Sequence, residues 1–225
     1  MRIRKKKNAA PRMERCARVW IKEPLAYRGR WNGLFKNEGP LHLEIGCGKG
    51  GFITELAKRE PGTNFVAVEK VRDCLVMAME KAVDAGLENV YFVLGDAGNL
   101  NDMFADGECS RIYLNFSDPW VKARHYKRRL TYRDFLEKYR RVLAGGGEIR
   151  FKTDNRALFD FSLEELAFCR YELKFVTYDL HGSGFEGNIM TEYERNFSEK
   201  GFNICMLTAV PPPADGEEAD GRGAR

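Results

Sequence analysis

The chain has 225 residues, of which 44% are hydrophobic and 12% aromatic, enough for one full core, and this composition argues against a globally disordered protein. The net charge is a modest +4, and the six cysteines lie far apart without a Cys-x-x-Cys pair, which argues against a zinc site or a disulfide scaffold. No apolar run approaches the ~20 residues of a membrane helix, and the basic start lacks an apolar signal segment, so we expect a cytoplasmic protein with no membrane partner.

Three parts are expected along the chain. Residues 1–38 carry charge and scattered aromatic side chains and are expected to form a basic N-terminal arm, which starts with Arg2, Arg4, Lys5, Lys6 and Lys7. Residues 39–210 carry the pattern of a folded domain. Residues 211–225, with the sequence PPPADGEEADGRGAR, combine prolines, small residues and charges, which predicts a disordered tail.

Within residues 39–210, β-rich apolar segments alternate with helical patterns. The five segments are LHLEIG, NFVAVE, VYFVLG, RIYLNF and GEIRFK, at 41–46, 64–69, 90–95, 111–116 and 147–152. Helices are predicted between and after them over 52–59, 71–86 and 131–147, and from a cap at Asn155 through Cys169. Such an alternation implies right-handed crossovers and a parallel sheet.

Two more strand-like runs follow, at 173–180 and 202–210, and no clear helix lies between them. They are predicted to form an antiparallel pair at the edge of the sheet. The expected fold class is therefore α/β and Rossmann-like, with a seven-stranded, mostly parallel sheet and a C-terminal antiparallel hairpin.

A glycine-rich loop follows the first predicted strand in LEIGCGKGGF and contains Gly46, Gly48, Gly50 and Gly51. Glycines allow a tight turn and let backbone N–H groups approach a ligand closely. Three of them satisfy G-x-G-x-x-G, the dinucleotide fingerprint, with Glu69 placed to hold a ribose. The carboxylate of Glu44 at the base of the loop suits the cationic S-adenosylmethionine better than a diphosphate. The methyl donor is therefore favoured, and a dinucleotide stays the alternative.

An acid lies at the end of each of four successive strands: Glu44, Glu69, Asp96 and Asp118. In an open parallel sheet, ligands bind outside the carboxyl ends of the strands. Each acid alone is explained equally well as a turn or cap residue. Four acids in register predict a negative pocket for a cationic cofactor.

The stretch NFSDPWVKARHYKRRL places an acid, a proline and a tryptophan directly before a basic run, which contains Lys122, Arg124, His125, Lys127, Arg128 and Arg129. This run suits salt-dependent contacts to an RNA backbone, with a solvated face as the alternative. Trp120 suits stacking on a base or packing in the core. SDPW is also similar to the N/D-P-P-aromatic motif of enzymes that methylate exocyclic amines, although the second proline is missing.

Together, LEIGCGKGGF, VAVEK, LGDA, NFSDPWVKARHYKRRL, RFKTDN and NIMTEYERNF resemble the bacterial tRNA (guanine-N7-)-methyltransferase family, over about residues 40–197. The resemblance implies a class I methyltransferase fold and S-adenosyl-L-methionine as cofactor. It also implies methyl transfer to N7 of a guanine in tRNA, in the variable loop at position 46. The expected partner is tRNA, with no obligate protein partner, in a monomer or a homodimer.

The resemblance also implies site residues. Cofactor contacts are expected at Glu44, Glu69, Asp96 and Asp118, and the loop adds Gly46, Gly48 and Gly50. Substrate contacts are expected at Lys122, Asp154, Thr191, Glu192, Tyr193 and Glu194. The charge of the basic run, apart from the resemblance, predicts RNA contacts at Arg124, His125, Lys127, Arg128 and Arg129. No metal ligands are expected.

Asp118 is the expected catalytic residue. Guanine N7 carries a lone pair and no proton, so catalysis depends on alignment and electrostatics rather than on a general base. A carboxylate near the acceptor stabilises the positive charge that the ring gains. Carboxylates can also accept hydrogen bonds from the N1–H and N2–H edge of guanine, and the sequence leaves this role open among Asp118, Asp154 and Glu194. A nicotinamide dehydrogenase and a non-catalytic RNA-binding module remain the alternatives from other classes.

Overall fold

The computed structural model describes residues 8–213, apart from the side chains of Ala9, Ala10 and Glu192. The basic cluster predicted at residues 2–7 and residues 214–225 of the predicted tail lie outside the described residues. In the described range no helix combines the length and the apolar character that crossing a bilayer requires.

Helices and strands alternate along most of the described chain. The helices are α1 (Ala9–Arg15), α2 (Gly51–Arg59), α3 (Arg72–Asp84), α4 (Leu100–Met103), α5 (Arg133–Val142), α6 (Arg156–Phe168) and α7 (Glu192–Ser198). The strands are β1 (Trp20–Ile21), β2 (Leu41–Ile45), β3 (Asn64–Glu69), β4 (Val90–Leu94), β5 (Cys109–Asn115), β6 (Leu143–Thr153), β7 (Glu172–Thr177) and β8 (Cys205–Val210).

The strands of residues 8–213 form one sheet in the order β1-β4-β3-β2-β5-β6-β8-β7. Every pairing from β1 to β6 is parallel, and β8 pairs antiparallel with both β6 and β7. The mostly parallel sheet with a C-terminal antiparallel hairpin is therefore confirmed. The expected count of seven strands was one too low, because β1 adds two residues of the arm beside Phe92 and Val93. A two-residue strand is too short to show a period in the sequence.

The centre of the sheet is buried on both faces. Every residue of β2 and β3 is buried, as expected for parallel strands that helices cover on both sides. The arm joins this core through Trp31, which is fully buried, stacks on Phe104 at 5.0 Å and donates a hydrogen bond from its indole to the Met103 carbonyl at 2.8 Å. Residues of the arm thus pack on the domain, and the boundary at residue 38 stays a prediction.

The largest differences from the sequence expectation are the end of one helix and one helix that was not expected. The helix predicted over 131–147 ends at Val142, and β6 begins at Leu143, before the glycines, because Leu143 pairs with Cys109 of β5. A helix, α7, occupies the segment between β7 and β8 where none was expected. The predicted cap of α6 is confirmed, since the Asn155 side chain accepts a hydrogen bond from the Leu158 amide at 2.8 Å.

The connections around β2 create the crevice in which a ligand would bind. The chain passes from β2 to β3 and β4 on one side, then returns to β5 on the other side of β2. The loops after β2 and β5 therefore diverge at the carboxyl edge, which is the switch point where open α/β sheets bind ligands. Of the predicted acids, Glu44 and Glu69 lie within the last two residues of β2 and β3, and Asp96 and Asp118 follow β4 and β5 at the same edge.

Candidate active site

The glycine loop between β2 and α2 uses its glycines in two ways. Gly46, Gly48 and Gly50 all have positive φ, at 77°, 55° and 73°. A Cβ on Gly50 would lie 2.6 Å from the Cβ of Ala78, so glycine is required there for close packing on α3. A Cβ on Gly46 or Gly48 would meet no described atom within 4 Å. Open space therefore lies in front of these two, where a ligand would approach, and all three cofactor contacts stay predictions.

Glu44 is a buried carboxylate that is only half paired. Its side chain is 2% exposed, and Asn115 donates a hydrogen bond to Oε1 at 2.9 Å. Oε2 is buried and has no partner among the described residues. Burial raises the pKa of Glu44 to about 7, and the negative charge of Glu69 adds to the increase, while Asn115 and Lys152 oppose it. A buried acceptor without a donor costs free energy, so this atom fits a ligand that supplies the donor or the positive charge.

Ser117 is a second buried group at the same edge. Its hydroxyl oxygen follows β5 by two residues and has no hydrogen-bond partner among the described residues. Oε2 of Glu44 and the Ser117 hydroxyl oxygen are thus two unsatisfied buried atoms, one in β2 and one just after the neighbouring strand β5. This donor and acceptor set fits the polar, cationic end of S-adenosylmethionine.

Two more of the four predicted acids, Glu69 and Asp96, accept hydrogen bonds from backbone amides in this structure. Glu69 accepts hydrogen bonds from the Gly48 amide at 2.9 Å and the Val71 amide at 2.8 Å, which ties the glycine loop to the end of β3. Asp96 is exposed and accepts one from the Gly98 amide at 2.7 Å, so it caps the turn after β4. Each carboxylate keeps acceptor capacity for a ligand, and their cofactor contacts stay predictions.

Asp118 lies in a strained loop. The residues two before and two after it, Phe116 and Trp120, have φ of 51° and 42°. Bulky side chains rarely adopt this left-handed region, and such strain clusters at functional sites. Asp118 itself is exposed. The loop thus presents the carboxylate to solvent at the edge of the crevice.

Trp120 packs among cations instead of in the apolar core. The Arg128 guanidinium lies 5.0 Å and the Lys70 ammonium 5.9 Å from its ring, and the His125 ring meets it edge-on at 5.6 Å. Lys70 directly follows Glu69 in the chain. Trp120 therefore links the end of β3 to the basic run.

Asp154 and Tyr193 lie beside the Asp118 loop. The Tyr193 hydroxyl donates a weak hydrogen bond to Asp154 at 3.5 Å, and its ring packs on Phe116 at 4.9 Å. Burial raises the pKa of Tyr193 to about 12, with the charges of Asp154 and Asp118 adding to the increase. The structure thus brings these three predicted site residues together at the end of β5 and β6.

Helix α7 begins with a capping box. The Thr191 hydroxyl accepts a hydrogen bond from the Glu194 amide at 2.8 Å, and the Thr191 amide donates to the Glu194 carboxylate at 3.4 Å. The spacing Thr-x-x-Glu is the sequence signature of this motif, and it could have revealed the helix. Glu192 is the first residue of this helix, and its contact with a substrate stays a prediction.

Glu194 faces inward, although a substrate contact was expected. Its side chain is fully buried and accepts hydrogen bonds from Lys152 at 2.8 Å, Asn188 at 2.7 Å and His181 at 2.9 Å. Burial alone would raise the pKa of Glu194, but these contacts, with Lys152 first, hold it below its usual value. In this arrangement the carboxylate fastens α7 to the sheet, and its contact with a substrate stays a prediction.

Lys152, like Ser117, is a polar residue of this region that the sequence prediction did not include. Its side chain in β6 is buried, and the ammonium donates to Asn188 at 2.9 Å, to the Ile189 carbonyl at 3.0 Å and to Glu194. The same ammonium lies 5.3 Å from the Phe52 ring. A lysine inside the strand GEIRFK could have been recognised, because a lysine at a buried position needs a carboxylate partner.

The basic run divides by orientation. It forms a 3₁₀ turn over Ala123–Arg128. Lys122, Arg124 and Lys127 are exposed and form no ion pair with a described residue. His125 and Arg128, of which Arg128 is also exposed, contact Trp120, and Arg129 donates a hydrogen bond to the Pro119 carbonyl of the Asp118 loop. The described side chains show no group of three or more His, Cys, Asp or Glu that could hold a metal ion.

Sequence comparison with known proteins finds methyltransferases. Residues 38–207 match the family described as "Putative methyltransferase". The chain is 50% identical over 213 residues to the tRNA (guanine-N(7)-)-methyltransferase of Geobacillus kaustophilus, with 95% of this chain and 98% of the relative covered. It is 49% identical to the protein of the same name from Listeria welshimeri, with 93% of this chain and 98% of the relative covered.

Solved structures support the fold. The chain superposes on the 16S rRNA methyltransferase KamB with a TM-score of 0.62 and 15% identity, covering 82% of this chain and 94% of that chain. An antibiotic-related methyltransferase gives a TM-score of 0.59 and 16% identity, covering 93% and 97%. At this level of identity, the likeness shows a shared Rossmann-like methyltransferase fold.

Proposed function

This chain belongs to the tRNA (guanine-N7-)-methyltransferase family, and on that premise we propose that it transfers a methyl group from S-adenosyl-L-methionine to N7 of a guanine in tRNA. The observation that carries the proposal is the match to relatives of that name at about half identity along nearly the whole chain. The target is a guanine of the variable loop. A tRNA substrate also gives the reason to propose a cytoplasmic location.

The cofactor residues follow from the unsatisfied atoms at the switch point. Oε2 of Glu44 and the Ser117 hydroxyl are available to polar groups of the methionine end, and the open side of Gly46 and Gly48 leaves room beside them. Glu69 and Asp96 have lone pairs available for the hydroxyl groups of a ribose. The bound cofactor supplies an electrophilic methyl group on a positively charged sulfur.

Methyl transfer places few chemical demands on the protein. Guanine N7 forms the new N–C bond with its in-plane lone pair while the C–S bond breaks and its electron pair stays on sulfur. The positive charge moves to the guanine ring, and no proton moves in this step. The protein must hold the two reactants in line and stabilise the developing charge. Asp118 lies where it can do both, and Asp154 is available to accept from the N1–H and N2–H edge.

Helix α7 forms the other wall of this site in our proposal. Thr191 and Tyr193 are available to a base beside Asp154, whereas the Glu194 carboxylate holds the helix from behind. The exposed cations Lys122, Arg124 and Lys127 are suited to tRNA phosphates. A monomer and a homodimer both remain compatible with these assignments.

Incubation with methyl-labelled S-adenosylmethionine and an unmodified tRNA transcript tests the proposal. We expect label in the tRNA, with none when Asp118→Ala replaces the wild type. Binding of tRNA without turnover would support a non-catalytic RNA-binding module instead. Binding of NAD with no response to S-adenosylmethionine would support a dehydrogenase.

A further inference from the structure

We propose that Arg129 is a positioning residue for the loop that carries Asp118, and that its main task is not to contact a phosphate. This inference rests on the proposed methyl transfer, and it assigns different tasks to neighbouring cations of one run. Sequence reasoning had placed Arg129 with the RNA-binding residues because it ends a dense basic segment.

The contacts of Arg129 point toward the loop. Its Nε donates a hydrogen bond to the Pro119 carbonyl at 3.0 Å. Its guanidinium carbon lies 4.3 Å from the centroid of the Phe161 ring, on α6. Both side chains are half-buried. One side chain thus joins the loop after β5 to the helix after β6.

The bonded carbonyl is well placed to control Asp118. Pro119 follows Asp118 directly, so a hydrogen bond to the Pro119 carbonyl restrains the next peptide unit along the chain. The loop needs such a restraint because Phe116 and Trp120 on either side adopt left-handed φ values that bulky residues disfavour. Without it, the loop is free to relax toward ordinary backbone angles, which would move the carboxylate.

The cations next to Arg129 differ in what they contact. Arg128 and His125 contact the Trp120 ring, on the same loop. Lys127 is exposed and forms no ion pair with a described residue. Lys127 is therefore placed to meet an approaching polyanion, whereas Arg129 is occupied by the protein itself.

Only the shape of an arginine side chain allows both contacts, the hydrogen bond to Pro119 and the stacking on Phe161. The guanidinium is planar, so it can donate along its edge to a carbonyl while its face stacks on an aromatic ring. A lysine ammonium keeps the charge but cannot make both contacts in this geometry. The substitution Arg129→Lys therefore separates positioning from charge.

The experiment measures single-turnover methyl transfer at saturating cofactor and tRNA, together with tRNA affinity as a function of salt. For Arg129→Lys we expect a rate loss of about 10²-fold, since a displacement of about 1 Å in an active site has that effect. The tRNA dissociation constant should stay within about threefold of the wild type, and its salt slope should not change, because the charge at residue 129 is kept. The matched control, Lys127→Ala, should weaken tRNA binding and lower the salt slope by about one.

A second variant leaves every charge in place. Phe161→Leu removes the aromatic ring on which the Arg129 guanidinium stacks and leaves Arg129 itself unchanged. We expect the rate at saturation to fall about tenfold, a partial loss of the same positioning, with tRNA affinity unchanged. A phosphate contact by Arg129 would not predict this rate loss. Thermal unfolding and cofactor binding check that both variants fold. If Arg129→Lys does not fold, the rate of Phe161→Leu tests the inference by itself.

The inference is overturned if Arg129→Lys or Phe161→Leu keeps the wild-type rate at saturation, or if their defect disappears when tRNA is raised. That outcome would return Arg129 to the RNA contacts. Absence of methyl transfer by the wild type in the same assay would instead reject the proposed function. The two failures are therefore distinguishable.

Discussion

Burial disfavours the negative charge of Glu44 in the cofactor-free protein. In our proposal the cationic cofactor stabilises that charge when it binds. Burial raises the pKa of Glu44 to about 7, above the 4.5 of the unfolded chain. The folded state therefore favours the protonated form, and the contribution of Glu44 to stability falls as the pH rises from about 4.5 through about 7. A cationic ligand favours the ionised form. Cofactor binding should thus release a proton below pH 7 and become tighter as the pH rises.

The substitution Glu44→Gln separates these two effects. Near pH 8, where the buried charge is present, we expect the free energy of unfolding of the cofactor-free protein to rise by about 1–3 kcal/mol. Cofactor affinity should fall and lose its dependence on pH between about pH 6 and about pH 8. Urea unfolding and titration calorimetry measure the two quantities. A wild-type affinity that does not change over this range would contradict the account.

The charge of Asp118, more than its shape, is expected to matter for methyl transfer. Asp118→Asn keeps the shape of the side chain and removes the charge that would face the methylated guanine. We expect the single-turnover rate to fall by about 10²- to 10³-fold, as for other groups that stabilise developing charge. Binding of tRNA should change by less than about threefold, because in our proposal the basic run supplies most of that affinity. A variant with the wild-type rate would make Asp118 a structural residue.

At the scale of elements, the buried ion pair of Lys152 and Glu194 fixes α7 against the sheet. Removing one partner of such a pair leaves a buried charge uncompensated, at a cost of about 3–5 kcal/mol. We expect Lys152→Met to lower the free energy of unfolding by about that amount and to increase amide exchange over residues 191–198. The double variant Lys152→Met with Glu194→Gln should recover part of the loss. Equal exchange in wild type and Lys152→Met would show that the pair does not hold the helix.

The sequence predicted the regular elements well and the short ones poorly. Continuous apolar runs identified the central parallel strands, because both faces of those strands are buried, and the 3.6-residue period identified the helices beside them. The two residues of β1 are too few to show a period. The start of β6 was misread as helix because the pairing of Leu143 with β5 overrides a local pattern. Helix α7 was missed although its capping box is visible in Thr191 and Glu194.

At the scale of the whole molecule, the site joins two surfaces of opposite character. The carboxyl edge of the sheet carries acids at the ends of β2, β3, β4 and β5, and the exposed half of the basic run lies directly after the last of them. Order along the chain was enough to predict that the acids share one edge and that the basic run follows the last of them, and the binding roles of both stay predictions. The inward orientation of Arg129 and the burial of Glu194 depend on contacts with Pro119, Phe161 and Lys152, which are distant in sequence or set by loop conformation.

Mapping the methylated atom in tRNA tests the central claim most directly. Methylation at N7 leaves the guanine with a positive charge that makes its ring open to reduction, after which aniline cleaves the chain at that nucleotide. We predict that label from S-adenosylmethionine is found at one guanine of the variable loop, at the position where the RNA is cleaved after this treatment. Label on an exocyclic nitrogen, with no cleavage, would contradict N7 transfer and favour the class of enzymes that the SDPW motif also resembles.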